Sequence, residues 1–104
     1  MELYKSVSGT AENELISIKD PSGKVGTIFV SNTHTLPFTV SVYFKDGSNN
    51  KTYIIKDINL PKASSWELSS PVLEFKPNEY ALCIQLGAAQ SGTSSVDVIT
   101  KRSK

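Results

Sequence analysis

The chain has 104 residues, 38% of them hydrophobic and 20% charged, the make-up of a globular domain that buries a core without metal or disulfide staples; disorder and fibrous classes are excluded. Lys and Arg total 11 against 10 for Asp and Glu, so no net field draws the chain to nucleic acid or to an anionic membrane surface. Neither an apolar leader at the start nor a run long enough to span a bilayer is visible, and the expected place of synthesis is the cytosol, unless a larger assembly carries the protein out.

Taken in order, Leu3 to Val7 forms a short first strand, the Gly9 to Asn13 break follows, and Leu15, Ile16 and Ile18 mark a second. Asp20-Pro-Ser-Gly23 is a turn, with Pro21 suited to its second position and Gly23 able to take positive φ. Thr27 to Lys45 is the strongest stretch. Ile28 and Val30 share a face while Phe29 looks away; Phe38, Val40, Val42 and Phe44 share one parity while Thr39, Ser41 and Tyr43 take the other. The segment between, Asn32 to Pro37, breaks the pattern and predicts a hairpin with a loop of about 5 residues, one face of its second strand buried and the other wet.

Asp46-Gly-Ser-Asn-Asn50 is a second turn, after which Tyr53, Ile54 and Ile55 resume the β signal, so a second hairpin stacks on the first in a meander. Asp57 to Pro61 is a short extended piece, and Ser64 to Leu68 is a strand carrying Trp66, read as a core or rim residue. Ser69 to Pro71 turns, Val72 to Phe75 is a short apolar stop, and Lys76 to Glu79 turns again. Tyr80 to Leu86 is the second strong strand, with Leu82, Ile84 and Leu86 on one parity. Gly87 to Thr93 is a small-residue loop, and Val96, Val98 and Ile99 form the last strand before Lys101, Arg102 and Lys104. Helical spacing is absent and turn signals recur every 8 to 12 or so residues. The expected fold is all-β, one domain over 1–104, an antiparallel two-sheet β-sandwich of about eight strands, Ig-like or jelly-roll.

No reaction centre emerges. His34 is the only histidine and reads as an exposed loop residue, without an orienting carboxylate or further metal ligands near it in sequence. Cys83, the only cysteine, sits in ALCIQL and reads as a small buried hydrophobe. Glu67, Glu74 and Glu79 are scattered surface acids rather than a glycosidase pair, and Asp46 to Asn50 lacks the spacing of a calcium loop. No catalytic, cofactor-binding or metal-binding residue is assigned.

The order of pieces resembles small all-β virion proteins of tailed bacteriophages, including those of cyanobacterial hosts. The likeness runs from Gly26 to Lys101: Ile28 to Asn32, Phe38 to Phe44, a charged turn, Tyr53 to Ile55, Asn59-Leu-Pro61 into Trp66-Glu-Leu68, Val72-Leu73, Tyr80 to Leu86 and Val96 to Ile99. It departs at Asn78-Glu79, where such proteins often carry Gly-Asp, and in its basic ending. The resemblance implies a non-enzymatic structural role in the virion, first as a capsid decoration or cement protein, alternatively as a neck, tail or fibre-base adaptor. It implies other virion proteins as partners and a multi-copy or homo-oligomeric state, with no nucleic acid, membrane or cofactor. Exposed strand edges and loops are then the expected contact surface: Leu3, Tyr4, Asn32, His34, Leu36 and Gln90. A reading of another class is a carbohydrate-binding module, which needs Trp66, Tyr43 and Tyr53 as a wet aromatic strip.

Overall fold

The computed structural model describes residues 2–16, 24–68, 73–74 and 79–102. They form nine strands: β1 (Glu2–Ser8), β2 (Asn13–Ile16), β3 (Lys24–Asn32), β4 (Phe38–Asp46), β5 (Lys51–Leu60), β6 (Ser65–Leu68), β7 (Leu73–Glu74), β8 (Tyr80–Leu86) and β9 (Ser95–Arg102). The expected turns at Asp20 to Gly23, Ser69 to Pro71 and most of Lys76 to Glu79 lie outside the described residues, as does Ile18.

Two antiparallel sheets result. One has the order β1-β9-β3-β6, with β7 continuing the β6 edge along the start of β3; the other has the order β2-β8-β4-β5. The pairs β1·β9, β2·β8, β3·β6 and β4·β5 join the first half of the chain to the second around the β4–β5 turn. The chain is therefore one long hairpin of paired strands rolled up until β9 meets β3 and β8 meets β4. That is the jelly-roll arrangement, and it differs from the Ig-like sheets in which the first, second, fifth and fourth strands lie together.

The rolled order corrects the expected hairpin at Thr27 to Lys45. β3 already pairs with β9 on one side and β6 and β7 on the other, and β4 with β8 and β5, so neither has an edge left for its neighbour in sequence. Residues 33–37 instead carry the chain from one sheet to the other. The β4–β5 hairpin stands as expected. Asp46 Oδ1 accepts the backbone N–H of Ser48 at 2.8 Å and of Asn50 at 3.0 Å, while Asn49 takes a φ of 66°. The two pieces expected at Tyr53 and at Asp57 are one strand, β5, interrupted by irregularities, with Asp57 at a φ of 50° and hydrogen-bonded to Ser41.

The core fills the space between the sheets. Ile28, Val30, Val96 and Val98 face Phe38, Val40, Val42, Leu82, Ile84 and Leu86, all buried. Phe44 and Ile55 are only half-buried, Phe44 two residues from the turn and Ile55 on an edge strand. The expected wet face of β4 is also covered in part: Ser41 is buried, and Tyr43 is fully buried beside Ala81 and Cys83. The reason is a cover from outside the sheet, the segment that carries Glu12.

Candidate functional site

Of the residues expected to make contacts, four gather at one end of the sandwich. β3 ends on Asn32, which is buried, and whose side-chain amide donates to the carbonyls of Leu36, Leu60 and Pro61 at 3.0 to 3.1 Å. Its Oδ1 accepts the backbone N–H of His34 at 2.7 Å. Asn32 thus pins the sheet-to-sheet crossover to the end of β5 and belongs to the frame rather than to the surface.

His34 is half-buried rather than exposed. Its Nε2–H donates to the Ser91 carbonyl at 2.7 Å, and its ring lies 6.3 Å from that of Phe38. The 33–37 crossover and the 87–94 loop are held together by this bond and by Thr33, whose N–H and hydroxyl reach Ser95 at 3.0 and 2.9 Å. Gly92 sits at a φ of 75°, and a Cβ there would meet His34 Cε1 at 2.9 Å, so the close approach requires glycine. Leu36 is half-buried and Gln90 exposed on this joined loop surface.

Leu3 and Tyr4 stand apart. They pair with Thr100 and Ile99 on β9, four or five positions from the Ser95 end where the loops meet. Tyr4 is 68% exposed on the outer face of the five-stranded sheet. The expected contact residues therefore divide between a loop end and a sheet face.

A cluster that sequence reasoning missed covers the outer face of the other sheet. Glu12, in the connection between β1 and β2, accepts hydrogen bonds from the Tyr43 hydroxyl and the Lys45 ammonium, with Lys51 Nζ 3.9 Å away. The hydrogen bond from Lys45 and then that from Tyr43 hold the Glu12 carboxyl below its ordinary range, and the same Glu12 bond holds Lys45 above its own. Burial first, and the Glu12 bond second, push the Tyr43 phenol up. Beneath it, burial pushes the Cys83 thiol up to about 11, the opposite of a reactive thiolate. The available signal was the unbroken apolar run from Ala81 to Ile84, which marks a strand covered on both faces.

The aromatic strip that glycan binding requires is not assembled. Tyr43 is fully buried and its ring is tilted 54° to that of Tyr53, whereas Trp66 lies on the other sheet and packs against the core. Among the described residues no three His, Cys, Asp or Glu side chains converge as a metal site would need, and no helix is long and apolar enough to cross a membrane.

No family model matches the sequence, and no curated protein does. Solved structures share its fold. PirA is 12% identical at a TM-score of 0.55, over 96% of this chain and 93% of that one. The Yersinia pseudotuberculosis-derived mitogen is 13% identical at a TM-score of 0.51, over 100% and 86%. Phage proteins also stand among the structural neighbours: a chain of the cyanophage Pam1 capsid is 14% identical at a TM-score of 0.46, over 95% and 83%, a likeness too slight to carry an argument about function.

Proposed function

We propose that this chain is a non-enzymatic structural subunit of a phage particle that works by protein–protein contact. The observation that supports it best is the strand order. A jelly roll is an architecture used by capsid and lectin domains alike, and here the lectin-like alternative loses its surface, because Trp66, Tyr43 and Tyr53 are dispersed over two sheets and one is buried. The order of sequence pieces from Gly26 to Lys101 points the same way.

The more specific role we propose is capsid decoration, ahead of a neck, tail or fibre-base adaptor. The loop end carrying His34, Leu36 and Gln90 is then the surface that meets the particle, since loops positioned by a rigid sandwich are where binding residues concentrate. The protein would be made in the host cytoplasm, act as one domain and reside in the virion in many copies.

The experiment is to add purified protein to particles lacking it and measure rebinding. Saturable binding with many copies spread over the head supports decoration; a single ring at one vertex supports the adaptor. No rebinding, together with soluble-glycan affinity lost in Trp66→Ala, overturns the virion reading.

A further inference from the structure

The outer face of the five-stranded sheet carries a row of apolar side chains in register: Tyr4 pairs with Ile99, and Ile99 pairs with Phe29. Their neighbours of opposite parity, Val98, Val30 and Ile28, are fully buried, so the three lie on the outward side. One polar row flanks them, Ser6, Asp97 and Ser31, with the Ser6 hydroxyl donating to Asp97 at 2.8 Å; the other flank holds Glu2, Lys101 and Thr27, Glu2 being the cross-strand partner of Lys101. Asp97 and Lys101 thus stand two residues either side of Ile99 on the same strand, each about 7 Å from it along the strand and each exposed.

We propose that this face is a self-association surface, on which a second copy of the chain packs about a two-fold axis running along the Tyr4–Ile99–Phe29 row. Such an axis reverses strand direction and sends each flank onto the other. Asp97 of one copy then faces Lys101 of its mate and the reverse, Ser31 faces Thr27, and the apolar row meets itself. The Glu2 position faces Ser6 of the mate, so the two flanks complement each other in charge, which is what a closed two-fold contact demands. Packing sheet on sheet at about 10 Å is the same solution that forms the sandwich itself. Glu67 continues the row onto β6 and faces its own copy across the axis, a like-charge contact at the exposed rim that the apolar row and the two Asp97–Lys101 pairs must outweigh.

Strand addition at the β1 edge of this sheet is a competing route for self-contact, and it is disfavoured. Lys5 shares the inward parity of Val7, is half-buried, and donates from Nζ to the Glu14 carbonyl of β2 at 3.1 Å. An inward-turned charge on an edge strand disfavours strand addition, and here it also ties the two sheets together along their open side. Three strands of contact bury on the order of 1,000 Å² in total, the size of a weak, transient interface. This inference deepens the multi-copy reading by naming the surface between copies.

The test is sedimentation equilibrium of the purified chain from about 1 µM to about 1 mM, which detects dissociation constants across that range. The expected result is a monomer–dimer equilibrium, weakened about tenfold or more by Asp97→Lys and by Lys101→Asp, and restored when both changes are made in one chain. Unchanged melting temperatures in the single variants show that they fold. A wild-type protein monomeric throughout, a dimer indifferent to Asp97→Lys, or a double variant that fails to recover the dimer overturns the proposal. A monomer that nonetheless rebinds particles sinks this inference and leaves the virion reading standing.

Discussion

Lys45 on β4 and Lys51 on β5 are direct cross-strand partners, two like charges side by side on the outer face of the four-stranded sheet. Such a pair destabilises a sheet unless something intervenes. Glu12 does, accepting from Lys45 and lying 3.9 Å from Lys51, whose Nζ also sits 5.0 Å above the Tyr43 ring.

Glu12→Gln should therefore cost about 1 to 2 kcal/mol, through a weakened acceptor and an unshielded lysine pair. Because the folded carboxyl is held below its ordinary value of 4.5, its contribution is complete above that pH and is lost as pH falls through the lower folded value. The melting temperature of the wild type should drop more steeply than that of Glu12→Gln between about pH 6 and about pH 3. Parallel pH profiles of the two proteins would remove Glu12 from this role.

Asn32→Ala should cost about 2 to 3 kcal/mol, since three carbonyls lose their donor, one of them in a buried bond. Asn32→Asp preserves shape yet turns an acceptor toward those carbonyls, and should be at least as damaging in urea denaturation. An Asp variant as stable as the wild type would show that the amide is not the clamp described.

Cys83 is fully buried with its thiol pushed up to about 11, so a thiol reagent should label it only as fast as the protein unfolds. Labelling in native buffer should accelerate with denaturant in step with loss of structure. Rapid native labelling would place the sulfur at the surface.

Val42 is fully buried between Ile55 on β5 and Ile84 on β8. Val42→Ala should cost about 1 to 3 kcal/mol from lost burial and a residual cavity. A cost near zero by chemical denaturation would place Val42 off the inner face.

Strand existence and parity were legible because period-two alternation is local: Phe38, Val40 and Val42 announce their face within five residues. What joins to what was not, because the β3–β4 loop looks like a hairpin turn at close range and only the competition of β9, β6, β8 and β5 for the same edges excludes it. Tyr43 misled for the same reason: the group that covers it, Glu12, is 31 residues away and carries no local mark. At the loop end the segments around Asn32 and Gln90 do lie side by side, but the assignment of Asn32 to the frame and of His34 to a loop-to-loop bond depends on partners 28 and 57 residues distant.

The rolled hairpin also dictates when the molecule can fold. Glu2 pairs with Lys101, and β9 sits in the interior of its sheet, between β1 and β3. A chain emerging from the ribosome has made every other strand of that sheet before β9 appears. The inner faces of β3 and β4 have no complete partner until then, and among the described strands only β4 and β5 pair as neighbours in sequence. Long-range pairing of this kind folds in milliseconds to seconds rather than microseconds. Nascent chains stalled ahead of Ser95 should therefore remain open to protease and to chaperones, and release of β9 should be the step that ends that exposure.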